Sequence, residues 1–447
     1  MKRIVKIIIF LVFSSQVFGQ GQISLYQMQR SIPQANFVNP AFRPTSKFII
    51  GLPLISSTYI SLEAPFAINN VFTNDGGNLL RIDTDAFLDE LKNSNRINLR
   101  ANSSLLFLGF NSKKSFISFS INSRLNAGFA FPGSVFETIL AGKESNPDGS
   151  LNIGLDNLDL KASFFNEVAI GYNRSVTDKL IVGAKLKYLQ GIASINIQDL
   201  NGSIGSSIDS VYIRTNPWSV QTSGFNYLSD NPDPSYFLFN NKNVGWAIDL
   251  GAQYMVTNNI KVTASILDLG GITWKEDTEI REFSSGSYTF DGFDFLEIVQ
   301  DDGVLDESIL DQEIDSIETV FKPELIEGES YKTALTGRFY LGGTYTLMDM
   351  HTFGVVFFSE VFKSRLIPAA ALTYNIAIGE ILDAGISAGY RNKSLGNVGL
   401  GLSAKLGPVQ VYAVTANLES LLYPARARVV GIHGGLVLAL GKISKFE

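Results

Sequence analysis

Apolar and polar residues alternate with a period of two along most of the chain. In 117–129, Ile117, Phe119, Ile121, Leu125 and Phe129 share one face, and Ser118, Ser120, Asn122, Arg124 and Asn126 share the other. Leu180, Val182, Ala184, Leu186 and Tyr188 alternate with Lys179, Gly183, Lys185 and Lys187. Trp246, Ile248, Leu250, Ala252, Tyr254 and Val256 do the same against Gly245, Asp249, Gly251 and Gln253. The pattern returns at Phe339, Leu341, Tyr345 and Leu347, and again from Val398 to Leu406. A helix would repeat near 3.6 residues, so these are strands.

The alternation predicts strands at 47–62, 97–110, 114–129, 158–174, 178–197, 243–256, 259–272, 333–347, 351–364, 366–378, 382–391, 395–406, 409–417 and 428–441. That is an all-β chain of fourteen strands. β-like runs at 201–216 and 279–290 read as parts of loops; if both joined the sheet, the count would be sixteen. Many strands exceed the ~5–6 residues usual in soluble sheets, and ~9–11 suffice to cross a bilayer. Short turns near 111–114, 177–178, 257–259, 347–350, 379–382 and 407–408 separate longer stretches at 64–96, 130–157, 198–243 and 270–332. Outer-membrane barrels alternate short periplasmic turns with long external loops in this way. A soluble sandwich also alternates, but the strand lengths and loop asymmetry favour a transmembrane antiparallel β-barrel.

Two turns are alike: Val176-Thr177-Asp178-Lys179-Leu180 and Val256-Thr257-Asn258-Asn259-Ile260. They read as one hairpin type. Helical spacing predicts short helices in the outer loops at 84–91, capped by Asp83 or Thr84, at 134–140 and at 306–321.

Composition narrows the chemistry. The 447 residues are 45% hydrophobic and 18% charged, with 40 Gly, 32 Phe and 16 Tyr. There is no cysteine, which excludes disulfides, thiolate metal sites, a cysteine nucleophile and a lipid-modified N-terminal cysteine. His351 and His433 stand alone, without metal-ligand spacing, so no metal or cofactor is expected. No Gly-x-Ser-x-Gly elbow is present and neither histidine lies near a nucleophile in the sequence, so no enzyme is expected. The net charge of −7 argues against nucleic acid as a partner. Lys2, Arg3 and Lys6, the apolar stretch 7–13 and Val17-Phe18-Gly19 read as a signal peptide over 1–19. No other segment approaches a spanning helix of ~20 residues. A membrane location therefore requires a closed barrel, the one sheet that satisfies every backbone group in lipid.

Between the signal and the barrel at 47–447 lies 20–46, too polar and proline-broken for a long strand. Asn39 before Pro40 favours a sharp turn. The segment is either a periplasmic linker or a plug inside the barrel, with Asn39, Pro40 and Ala41 as the plug motif. Asp249, Glu167, Lys185, Lys187 and Arg124 lie on polar strand faces and would point into the lumen, lining a water path or holding the plug by ion pairs. Gly399 and Gly401, inside a strand, would let elements bend or pack closely. The 291–329 segment holds fourteen Asp or Glu against Lys322 and reads as a solvated loop; Asp301-Asp302-Gly303 lacks the EF-hand register. Phe131, Phe136, Tyr227, Tyr236, Phe237, Phe239, Phe293 and Phe295 either form an external capture surface or pack the loops together.

The Asn39-Pro40-Ala41 motif ahead of a barrel resembles that of long-chain fatty-acid transporters of the FadL type and of type IX secretion barrel proteins, although Phe42 stands where the FadL pattern usually has glycine. Leu25-Tyr26-Gln27-Met28, Asn36-Phe37-Val38-Asn39-Pro40-Ala41-Phe42, Ile50-Gly51-Leu52-Pro53-Leu54 and the stretch Val409 to Asn417 resemble an uncharacterised outer-membrane barrel family of that wider group. The resemblance implies a fourteen-stranded barrel in the bacterial outer membrane, surrounded by its lipid. It implies FadL-like passage of a hydrophobic or amphipathic small molecule. The alternative is a non-transporting scaffold that binds protein partners in a type IX secretion or gliding-type envelope complex.

Overall fold

The computed structural model describes residues 23–442, except 75–79, 142–149, 157, 208–209, 231–236, 238–240, 292–306, 363–364, 380, 392–393 and 416. The segment 1–19, Tyr236, Phe239, Phe293, Phe295, Asp301, Asp302 and Gly303 lie outside the described residues.

Fourteen antiparallel strands form a closed ring. They are β1 (Ser46–Gly51 and Thr58–Glu63), β2 (Asn95–Asn111), β3 (Ser115–Phe131), β4 (Asp159–Ser175), β5 (Leu180–Gln198), β6 (Val244–Met255) and β7 (Ile260–Trp274). The ring continues with β8 (Arg338–Leu347), β9 (His351–Phe362), β10 (Arg365–Ile378), β11 (Leu382–Arg391), β12 (Ser394–Leu406), β13 (Val409–Thr415) and β14 (Val429–Lys442). Closure is made by β1, where Phe48 pairs with Leu440 of β14 and with Phe110 of β2. Closure leaves no free edge and excludes the sandwich. Every strand also exposes at least one large apolar side chain on the outside, among them Phe48, Leu108, Ile170, Leu250, Leu372 and Val411.

The fourteen strands follow the alternation closely, with two departures. β1 is broken at 52–57, where Leu54 adopts φ 65°. β8 begins at Arg338, because Tyr331–Ala334 forms a separate strand against the end of β7. As expected of loop parts, the 201–216 and 279–290 runs add no strand to the fourteen. Gly202–Ser206, Val211–Thr215 and Gly286–Phe290 join Leu151–Gly154 in a second sheet. Trp218–Ser223 and Thr278–Phe283 prolong the wall beyond β5.

The two similar turns share one bond set. Val176 and Val256 N–H donate to the carbonyls of Leu180 and Ile260, at 2.8 and 2.9 Å. The Thr177 and Thr257 hydroxyl oxygens each accept two backbone N–H groups, at 3.0 and 3.2 Å. A threonine followed by Asp-Lys or Asn-Asn thus closes the hairpin with its own side chain. Helices form at Thr84–Glu90, Gly133–Ala141 and Glu307–Val320. Asp83 caps the first, accepting from Ala86 N–H at 3.0 Å.

Candidate functional site

Residues 23–45 lie inside the ring. A helix at Ile23–Gln27 leads to a 3-10 turn at Pro33–Phe37, and Leu25, Val38, Asn39 and Ala41 are fully buried. The segment touches inward positions almost all round the barrel. Lys185 Nζ of β5 donates to the Asn36 carbonyl at 2.7 Å. Asn173 of β4 donates to the Pro40 carbonyl at 2.9 Å, and Ser265 of β7 to that of Val38 at 2.7 Å. On the far side Ser24 donates to the Thr415 carbonyl at 2.9 Å, and Gln410 donates to that of Ser31. A buried irregular segment needs these partners, since each orphaned backbone group costs ~1–3 kcal/mol.

The three motif residues meet at one point on this wall. Asn39 Oδ1 accepts from Ala41 N–H at 2.9 Å, which closes the turn across Pro40. Asn39 Nδ2 donates to the Ala264 carbonyl at 3.1 Å. The wall is glycine there. A Cβ at Gly183 would lie 2.5 Å from the Pro40 carbonyl, and one at Gly251 would strike Asn39 Oδ1. Gly401 makes the same room for the Met28 sulfur. The strand glycines therefore admit the plug.

Above the plug the lumen is crossed by ion pairs. Asp268 receives two bonds from Arg124, at 2.9 Å each, one from Lys187 at 2.7 Å, and two from Arg338, at 3.0 and 2.6 Å. Glu167 pairs with Arg124 at 2.7 Å and Asp249 with Lys187 at 2.7 Å. Three cations thus face three carboxylates, and the cluster is neutral. Arg100 of β2 and Glu360 of β9 meet at 2.5 and 2.8 Å across the lumen. Four of the five polar-face residues named from the sequence pair among themselves, and Lys185 alone of the five holds the plug. Asp268, Arg338, Arg100 and Glu360 escaped the sequence reading. Asp268 sits at φ 61° beside a register shift between Ile248 and Leu250, a bulge that turns it inward out of phase with the alternation.

That bulge marks a break in the wall. β7 pairs with β8 up to Leu267 and with Tyr331–Ala334 from Gly271 onward. Between them Leu335 N–H donates to the Gly270 carbonyl at 2.9 Å. An open cavity of about 670 Å³ lies here. Asp159, Lys161, Asp268 and Lys332 give it charge, while Leu269 and Val361 line it with side chains exposed on the outer wall.

Other sequence candidates are placed differently. Phe131 is buried and stacks edge-on with Phe136, which also meets Phe87; these rings pack loops together and form no capture surface. Tyr227 is exposed, and Phe237 lies beside Phe164. His351 Nδ1 contacts the Tyr374 hydroxyl at 2.8 Å. His433 is the correction: its Nε2 lies 2.8 Å from the Ser57 hydroxyl and 3.1 Å from that of Tyr412. Closure of the barrel brings the two ends of the chain together, which sequence separation hides. Among the described residues no cluster of three or more metal-ligating side chains occurs.

These features define a plugged, closed β-barrel whose lumen is bridged by ion pairs. The chain belongs to the family of unknown function DUF5723, which matches residues 40–416. No curated protein matches it. Among solved structures it is similar to the toluene transporter TbuX of Ralstonia pickettii, with 9% identity, 96% of both chains covered and a TM-score of 0.38. It is also similar to a FadL homologue of Pseudomonas aeruginosa, with 10% identity over 91% of this chain and 94% of that one and a TM-score of 0.40. The toluene transporter TodX of Pseudomonas putida gives 8%, 90% and 91%, and 0.36. Likeness at that level carries no inference about this chain.

Proposed function

We propose that the protein spans the bacterial outer membrane and passes a small amphipathic molecule. The observation that carries the reading is the cavity at the wall break, which joins the buried carboxylate of Asp268 and the half-buried Lys161 to the outer-wall side chains Leu269 and Val361. An apolar tail would rest against the outer wall, and a polar head would face the lumen. Membrane embedding is supported by the large apolar side chains that all fourteen strands expose, an extended face of a kind that marks interaction sites on soluble proteins. In this orientation the short turns face the periplasm, and the plug gates release. The test is flux of a fluorescent fatty acid into proteoliposomes. Wild type accelerates it, and Leu269→Asp with Val361→Asp removes the gain while cold-detergent gel mobility stays that of a folded barrel. Flux equal to that of empty liposomes overturns the reading.

A second reading is a docking component of an envelope complex. The Glu307–Val320 helix favours it, because Ile314 is 54% exposed on a strongly acidic loop. Cross-linking in intact envelopes, with and without residues 307–320, separates the two. A protein adduct that depends on the helix supports docking.

A further inference from the structure

We infer that a pocket between the plug and the inner wall, at the short-turn end of the barrel, binds a small oxyanion such as a phosphate or carboxylate group. Lys261 of β7 and Arg30 of the plug both line this cavity, and Asp383 of β11 is the single carboxylate that does. Two cations and one anion leave a net charge of +1. Among the described residues Lys261 makes no ion pair or hydrogen bond, and the charge that acts on it is the like charge of Arg30. Arg30 donates to the backbone carbonyl of Asp349 at 2.5 Å, and its charge also acts on Asp383.

A second observation is independent of charge. Four lining residues carry buried polar atoms without a hydrogen-bond partner: both amide atoms of Gln27, the amide oxygens of Gln29 and Asn375, and the Thr344 hydroxyl. Gln27 is 4% exposed. Buried polar atoms are nearly always satisfied, and an orphan calls for a guest. Gln and Asn amides can present either N–H or oxygen. Phosphate, which carries both oxygens and hydroxyls at neutral pH, meets both. The cavity measures about 50 Å³, room for about four waters at ~10–15 Å³ each or for one small oxyanion in their place. Because the pocket is half plug and half wall, a bound anion ties the two together at the point where the plug would leave. This inference does not depend on what crosses the lumen.

The experiment is calorimetric titration of the full-length, detergent-solubilised protein with sodium phosphate, sodium acetate and sodium chloride. The expected result is binding of phosphate or acetate above the chloride baseline, and the arm that binds identifies the phosphate or the carboxylate source. Lys261→Met is expected to weaken that binding at least tenfold, and Asp383→Asn to keep or strengthen it. Cold-detergent mobility checks that Lys261→Met still folds; should it not, Thr344→Val takes its place, with a several-fold loss expected. Binding no stronger than chloride in the wild type, or unchanged in the folded variant, overturns the proposal.

Discussion

The Arg124 guanidinium grips the Asp268 carboxylate with two hydrogen bonds of 2.9 Å each, from strands four apart in the ring. The same carboxylate also receives Lys187 and Arg338. Removing it leaves the buried Lys187 and the half-buried Arg124 and Arg338 with two carboxylates. Asp268→Ala should therefore destabilise the barrel by about 3–5 kcal/mol, the usual consequence of breaking a buried pair from one side. The temperature at which fast gel mobility is lost reports it. A melting point within error of wild type would show that the cations find other partners.

The plug seat depends on absent side chains. Gly183→Leu places atoms where the Pro40 carbonyl now lies, and overpacking of this kind costs about 1–3 kcal/mol. Hydrogen exchange in 23–46 should rise by about tenfold or more, since each 1.4 kcal/mol is tenfold in a population, while the strands remain protected. Unchanged exchange would mean that the wall gives way in place of the plug.

Plug retention should also weaken at high pH. Burial pushes the Tyr26 hydroxyl up from 10.0 to about 12, against the lowering effect of its contacts with Thr263 and Asn39. A folded-state value above the unfolded one gives a contribution that is whole below pH 10 and lost as the pH rises toward about 12. Plug exchange should accelerate across that window in wild type, and less steeply in Tyr26→Phe. Parallel curves for the two proteins would remove Tyr26 from the cause.

The outer face offers a direct check on lipid embedding. Leu372 is 67% exposed midway along β10. In water Leu372→Arg should be nearly neutral, whereas at the bilayer midplane arginine costs about 2–4 kcal/mol. Refolding equilibria in phospholipid vesicles measure the difference, and a cost near zero counts against a membrane-spanning wall.

Ser57 and His433 have the spacing of a nucleophile and its base, but His433 Nδ1 has no partner, and both side chains are buried. Their contact ties the break in β1 to β14. Ser57→Ala should cost about 1 kcal/mol of stability. Nitrophenyl ester hydrolysis should be the same with and without it; turnover that disappears in Ser57→Ala would make the pair catalytic.

Strand number, hairpin sites and the loop helices were legible in the sequence because each rests on local physics. A period of two sets which face is apolar, Thr177 and Thr257 close their own turns, and Asp83 caps its own helix. The sequence by itself also placed Arg124, Glu167, Lys185, Lys187 and Asp249 on polar faces. It left open what they hold, because a polar face names a direction and no partner. Tertiary structure alone decided that Lys185 reaches the plug while Arg124 and Lys187 meet Asp268, since that contact depends on a bulge that shifts the phase of β7. It alone joined Ser57 to His433, because ring closure sets residues from opposite ends of the chain side by side. It alone turned the strand glycines Gly183 and Gly251 into the seat of Asn39 and Pro40, because room for a neighbour exists only once the neighbour is in place.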